Sequence, residues 1–182
     1  ERLATEKKFR RTFLSPSDVG GRYSAFTEFG LVPAALIGMD ITKLLEKGRL
    51  AAEESNSPGA EKKSHAFILG AALGELAQQK IKLTIWTTPA IDRLPLWLEQ
   101  LLAESTGKQG KGIVPIVEEP FAPPEIYGQD RVFIGFFLNE DRSPELERHL
   151  SKLEAYGHPT IRIDLEEMFD LGKEFFLWEL AT

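Results

Sequence analysis

The sequence predicts an α/β protein, a three-layer α/β/α sandwich of flavodoxin-like type around a mostly parallel sheet. Short apolar runs rich in β-forming residues alternate with longer stretches of helical periodicity, the pattern of parallel strands joined by helical crossovers. The irregular connections carry the turn residues such a fold needs, and no internal repeat competes with this reading.

Strands are expected at 82–87, 112–117, 132–138 and 160–164. Between them, 66–79 has apolar residues at helical spacing and the small residues Gly70, Ala71, Ala72 and Gly74, which suit close packing on a sheet. Segment 93–104 repeats Leu94, Trp97, Leu98, Leu101 and Leu102 on one helical face. Ser143 and Pro144 open a helix over 145–155, and Gly157 closes it. Polar 53–63 reads as an exposed loop. Segment 118–130, with Pro120, Pro123, Pro124 and Gly128, reads as a long surface connection. The aromatic run Phe175, Phe176 and Trp178 reads as core. Ligands in such folds usually sit beyond the carboxyl ends of the strands.

At 182 residues, 42% hydrophobic and 27% charged, the chain suits one globular domain. A net charge of −6 argues against nucleic acid and anionic membranes as partners. The basic cluster Arg2, Lys7, Lys8, Arg10 and Arg11 reads as a solvated terminal helix rather than a phosphate-binding arm. The absence of cysteine fits a reducing compartment, and the apolar run at 66–69 is far too short to span a bilayer; we read a cytoplasmic protein. The lack of an initiator methionine and the apolar run reaching Ala181 lead us to expect a single domain over 1–182 cut from a longer polypeptide. Segments 1–16 and 169–182 would then be peripheral.

Two motifs carry the functional reading. In Ser17-Asp18-Val19-Gly20-Gly21-Arg22-Tyr23-Ser24, paired glycines let backbone approach a ligand, and the arginine adds a permanent cation with a fixed fork of donors. In Gln100-Leu101-Leu102-Ala103-Glu104-Ser105-Thr106-Gly107-Lys108, Gln100 and Glu104 share one helical face. The negative end of the helix dipole favours a proton on such a carboxylate, which suits a general base. Taken singly, each motif is equally a tight turn with an exposed arginine and a surface helix ending in a glycine cap.

Together, in this order, with the apolar Gly-Leu-Val-Pro-Ala-Ala segment from Gly30, they resemble the signatures of phosphoglucose isomerases. That family shows Gly-Gly-Arg-Phe/Tyr-Ser and Gln-x-x-x-Glu-Ser-Asn-Gly-Lys. The resemblance runs from Ser17 to the Leu-Gly-x-Glu-Phe-Phe-x-Trp-Glu pattern ending at Glu179. It is to the family's second sugar-isomerase (SIS) domain, and Thr106 in place of asparagine is most like the branch fused to transaldolase. The resemblance implies interconversion of glucose 6-phosphate and fructose 6-phosphate through an enediolate, without cofactor or metal. It implies Glu104 as base, Arg22 as the cation stabilising the enediolate, and Gly21 and Gln100 as substrate contacts. It also implies that the first SIS domain, with its phosphate-gripping loop, and a lysine-bearing C-terminal segment lie outside this chain. The isolated chain would then be inactive. Its expected partners are the first SIS domain and a second copy in a homodimer. The alternative is a non-catalytic domain that binds sugar phosphates or serves assembly.

The family's ring-opening histidine has no matching motif. His65, His149 and His158 read as surface residues, His158 being the best placed because it precedes a strand. Gly107 to Gly112 lacks the spacing of a nucleotide phosphate loop. Glu118, Glu119, Asp164, Glu166 and Glu167 lack histidine partners at metal-ligand spacing and read as solvated charge.

Overall fold

A computed structural model describes residues 2–78 and 82–182. Its sheet has four strands, β1 (Lys82–Thr87), β2 (Val114–Ile116), β3 (Arg131–Leu138) and β4 (Thr160–Leu165), in the order β2-β1-β3-β4. All neighbours pair in parallel; Ile85 faces Ile134 across β1 and β3, and Ile134 faces Ile161 across β3 and β4. Around the sheet lie α1 (Arg2–Glu6), α2 (Glu28–Leu36), α3 (Ile41–Ser55), α4 (His65–Leu76), α5 (Leu94–Thr106), α6 (Pro144–Tyr156) and α7 (Leu171–Ala181). The predicted fold class is the observed one.

Alternate residues of β1 and β3, the two central strands, feed two separate cores, as the pleat requires. Leu83, Ile85, Val132, Ile134, Phe136 and Leu138 pack against Leu98, Leu101 and Leu102 of α5 and Trp178 of α7. Trp86, Phe133 and Phe137 pack on the other face against Leu146, Leu150 and Leu153 of α6. β3, covered on both faces, is almost wholly apolar for that reason.

The strands and the helices at 65–76, 94–106 and 144–156 match the expected ones to within a few residues; Gln79, at the end of the expected 66–79 helix, lies outside the described residues. Two helices, α2 and α3, have no counterpart among the expected elements. In α3, Asp40 caps the N-terminus by accepting from the Thr42 and Lys43 amides, and Gly48 sits in mid-helix where propensity disfavours it. The cause is tertiary. A Cβ on Gly48 would stand 2.7 Å from the Phe26 ring, and one on Gly172 of α7 would stand 2.0 Å from the Leu44 carbonyl oxygen. Two glycines thus let α3 and α7 cross at backbone distance. Lys47 fastens the same junction, reaching Glu167 at 2.8 Å and Asp170 at 2.7 Å.

Other expectations need correction. Segment 53–63 is exposed as expected except at Ser55 and Ala60, but it is not all loop: α3 continues to Ser55, a 3-10 turn spans Ala60–Lys62, and the buried hydroxyls of Ser55 and Ser64 meet at 2.8 Å. Segment 118–130 is the irregular surface connection expected, but it is anchored from below. The buried Tyr127 hydroxyl accepts from the Ala122 amide at 2.9 Å. Glu119 is only partly exposed and pairs with Arg131, so it is not solvated charge. The basic N-terminal segment is helical only over Arg2–Glu6 and exposed beyond it. At the other end, α7 buries Trp178 completely and is part of the core rather than peripheral. No helix among the described residues is long and apolar enough to cross a membrane.

Gly172→Ala is expected to lower unfolding free energy by ~1–3 kcal/mol, because an added methyl must push α3 away; urea denaturation measures it. Glu174 of α7 is buried, 3.2 Å from the Trp178 indole nitrogen that donates to it. Burial is the main cause that raises its carboxyl from 4.5 to about 7. A raised folded-state value means the native state holds the proton more tightly than the unfolded one. This group's contribution is therefore full below pH 4.5 and lost as pH rises through 7. Glu174→Gln should leave stability at pH 4.5 nearly unchanged and raise it at pH 8 by roughly 1–3 kcal/mol. Equal effects at both pH values would contradict this.

Candidate functional site

The two motifs meet. Residues Gly21–Tyr23 form a 3-10 turn whose hydroxyl-bearing Ser24 bonds back to the Gly20 carbonyl at 3.0 Å. The turn rests on α5, where the Trp97 indole donates to the Arg22 carbonyl oxygen at 3.0 Å. This contact aims Arg22 along the helix toward its last turn. Arg22 Nη1 donates to Glu104 Oε2 at 3.2 Å, and Arg22 Nε donates to Ser105 Oγ at 2.7 Å. Gln100 Nε2 donates to the other carboxylate oxygen, Glu104 Oε1, at 3.3 Å.

Each oxygen of Glu104 thus has one donor, and the carboxylate remains half open to solvent, at 52% exposure, while Arg22 is at 28%. Arg22 Nη2 has no protein partner among the described residues. An anion approaching Glu104 would find that nitrogen ready to donate. Gly21 leaves its side of the turn clear: a Cβ there would meet nothing within 4 Å.

The last turn of α5 is built to end abruptly. Thr106 Oγ1 donates to the Leu102 carbonyl at 2.7 Å and accepts from the Ile113 amide at 3.1 Å. Between them, Lys108 and Lys111 pair backbone to backbone at 3.0 and 2.9 Å, closing a turn through Gln109 and Gly110, both at positive φ. α5 carries the chain back from the end of β1 to the start of β2, so this turn lies at the amino edge of the sheet. The Arg22–Glu104 pair is therefore not beyond the carboxyl ends of the strands, where folds of this class usually bind ligands.

A cavity of about 700 Å³ begins at the carboxyl end of β1 and reaches Gly21 and Gln100, beside the pair, without being lined by Arg22 or Glu104. It runs along α5 from Ile91 and Asp92, past Trp97, to Gln100 and Gly21, with Phe29 and Pro33 of α2 forming its outer wall. That wall is thin. Phe29, Leu36 and Ile37 are 71%, 82% and 81% exposed.

The histidines are elsewhere, and two of them are not surface residues as expected. His149 is buried in the α6 core, stacked on Phe121 at 4.4 Å and edge-on to Trp86 at 5.0 Å. Burial, aided by nearby Lys152, pushes its imidazole below the usual range, so it is neutral at physiological pH. His158 is buried too, its Nε2 2.9 Å from the Pro124 carbonyl. Both belong to the α6 face of the sheet, across from α5. Only His65 is exposed, 3.6 Å from Glu54. Among the described residues, no group of histidine, aspartate and glutamate side chains is arranged to hold a metal ion.

Ser105, Tyr23 and Trp97 also belong to the site, although the sequence alone assigns them no role. The first two stand inside the motifs, and the third reads as one more apolar residue on the buried face of a helix.

No protein-family model matches the chain. Part of it is similar to glucose-6-phosphate isomerases. It is 40% identical to that of Heliobacterium modesticaldum over 117 residues, which are 63% of this chain and 26% of the relative. It is 32% identical to that of Clostridium novyi over 152 residues, 82% of this chain and 32% of the relative. It is 39% identical to that of Rubrobacter xylanophilus over 108 residues, 57% and 24%. The chain spans about a quarter to a third of the length of these relatives. Among solved structures, a hypothetical protein of Thermus thermophilus has the same fold, with a TM-score of 0.79 at 21% identity over 99% of this chain and 53% of that one.

Thr106→Val removes both hydroxyl bonds while keeping the shape. It should destabilise the chain by about 1–3 kcal/mol in urea, and Thr106→Ser by less than half as much.

Proposed function

We propose that this chain is the second SIS domain of a glucose-6-phosphate isomerase, contributing the base and the oxyanion donor to a site completed by another part of the polypeptide. The observation that carries the proposal is the convergence of Arg22 and Glu104, 3.2 Å apart across 82 positions of sequence, within motifs that resemble those of the isomerases. The similarity to relatives bearing that name supports it.

The chemistry suits the arrangement. In an open-chain aldose phosphate, Glu104 would take the proton from C2, and the C–H electron pair would pass into the carbonyl to give an enediolate. Arg22 would donate to the developing oxyanion. The C2 hydroxyl would pass its proton to O1, and the protonated carboxyl would return the carbon-bound proton to C1 as the C2 carbonyl forms, giving the ketose. Only one base is needed and no electrons enter or leave, so neither metal nor organic cofactor is required. Gln100 would hold Glu104 in place and contact the sugar, and the bare face of Gly21 would let the sugar approach the backbone. The sugar phosphates concerned are glucose 6-phosphate and fructose 6-phosphate, and the setting is the cytoplasm. The phosphate would be gripped by the first SIS domain of the parent chain, which in the branch this sequence most resembles also bears transaldolase.

In the full-length parent, Glu104→Gln should lower kcat for isomerisation by about 10²–10⁴, the usual contribution of a general base. A near-normal rate would remove Glu104 from that role. A second reading, a non-catalytic sugar-phosphate-binding or assembly domain, draws on the largely apolar lining of the cavity beside the pair. Calorimetric titration of the 182-residue chain with fructose 6-phosphate, together with a product assay of the full-length parent, separates the readings. Submillimolar binding without turnover even in the full-length parent would favour the second.

A further inference from the structure

A base that carries a proton through a reaction cannot also be a constant anchor for the cation beside it. When Glu104 is ionised it attracts Arg22; once it holds the substrate's proton the attraction falls to that of a neutral hydrogen bond. Arg22 must nevertheless keep its aim while the oxyanion exists, because that is when its charge matters. Something that does not titrate has to hold it.

The bonds around Arg22 identify the holder. Arg22 Nε reaches Ser105 Oγ at 2.7 Å, shorter than the 3.2 Å from Nη1 to Glu104. Ser105 is half-buried, whereas Glu104 is exposed. An Nε–H can only donate, so Ser105 Oγ is the acceptor. The Tyr23 hydroxyl lies 3.1 Å from the same oxygen and fixes the serine rotamer, whichever of the two donates. The Tyr23 ring also faces the guanidinium, 5.2 Å from its centroid, and Trp97 pins the Arg22 carbonyl from below. A guanidinium is planar and rigid, so fixing Nε fixes the direction of Nη2.

We infer that Ser105 is the positioning residue for Arg22. Its hydroxyl, oriented by Tyr23, holds the guanidinium in one orientation through the proton transfer and keeps Nη2 directed at the oxyanion when Glu104 is protonated. The inference rests on the roles proposed above for Arg22 and Glu104, and its first readout is independent of them.

That readout is the exchange rate of the Arg22 Nε–H with solvent, followed by ¹⁵N NMR in the 182-residue chain; Arg22→Lys assigns the signal by deleting it. Ser105→Ala should accelerate exchange about tenfold, the loss of one good hydrogen bond, and Ser105→Thr, which keeps the hydroxyl, should stay within about twofold of the parent. Tyr23→Phe should fall between them, and tests the same network should Ser105→Ala fail to fold. In the full-length isomerase, Ser105→Ala should lower kcat about tenfold with KM for fructose 6-phosphate nearly unchanged, and Ser105→Thr should restore most of it. Unchanged exchange in both Ser105→Ala and Tyr23→Phe, or equal losses in Ser105→Ala and Ser105→Thr, would overturn the inference. Accelerated exchange combined with an active Glu104→Gln enzyme would leave Ser105 as the holder of Arg22 and reject the proposed function instead.

Discussion

The organisation of the site depends on one guanidinium that joins two distant segments. Arg22 belongs to a turn that leans on α5 through the Tyr23 ring; the bonds from Arg22 to Glu104 and Ser105, with those between Tyr23 and Ser105 and from Trp97 to the Arg22 carbonyl, tie the two together. Exposed ion pairs contribute little to stability, so the value of this one lies in geometry. It presents a carboxylate with a donor on each oxygen and, among the described residues, leaves one guanidinium nitrogen without a partner.

The rest of the fold makes that geometry reproducible. α5 is clamped by Leu98, Leu101 and Leu102, all essentially inaccessible to solvent, so its last turn cannot drift relative to the sheet. Behind it, the glycine-to-backbone crossing of α3 and α7 brings Phe26 against Phe175, ring centroids 6.2 Å apart, and Phe175 against Trp97 at 4.9 Å. A chain of packed aromatics thus runs from the α3–α7 junction to the residue that supports Arg22. Glu174, buried one turn from Trp178, places a proton-dependent cost inside the same layer.

Much of this is legible in the sequence, and the exceptions have identifiable causes. The strands are readable because parallel strands covered on both faces are short, dense apolar runs. α2 is not: its composition is apolar all round, so it has no period, and Gly30 and Pro33 read as breakers. α3 is hidden by Gly48, whose reason lies in the Phe26 ring and in the Gly172 carbonyl, 124 positions later (172 minus 48). The burial of His149 and His158 follows from the packing of the 118–130 connection against α6, and the pairing of Glu119 with Arg131 from its place beside β3, neither of which spacing encodes. At the site, spacing puts Gln100 and Glu104 on one face, and resemblance pairs them with Arg22. The tasks of Ser105, Tyr23 and Trp97 depend on side-chain direction, and no pattern of letters carries that.

The convergence of a carboxylate and a guanidinium on one small anion is tested most directly by the crystal structure of the full-length polypeptide with fructose 6-phosphate bound. The account predicts the C1–C2 unit of the sugar lying between them, with a Glu104 oxygen within about 3.2 Å of the carbon whose proton it moves and Arg22 Nη2 donating to the adjacent sugar oxygen. A sugar phosphate bound elsewhere, with the Arg22–Glu104 pair closed and untouched by it, would contradict the account.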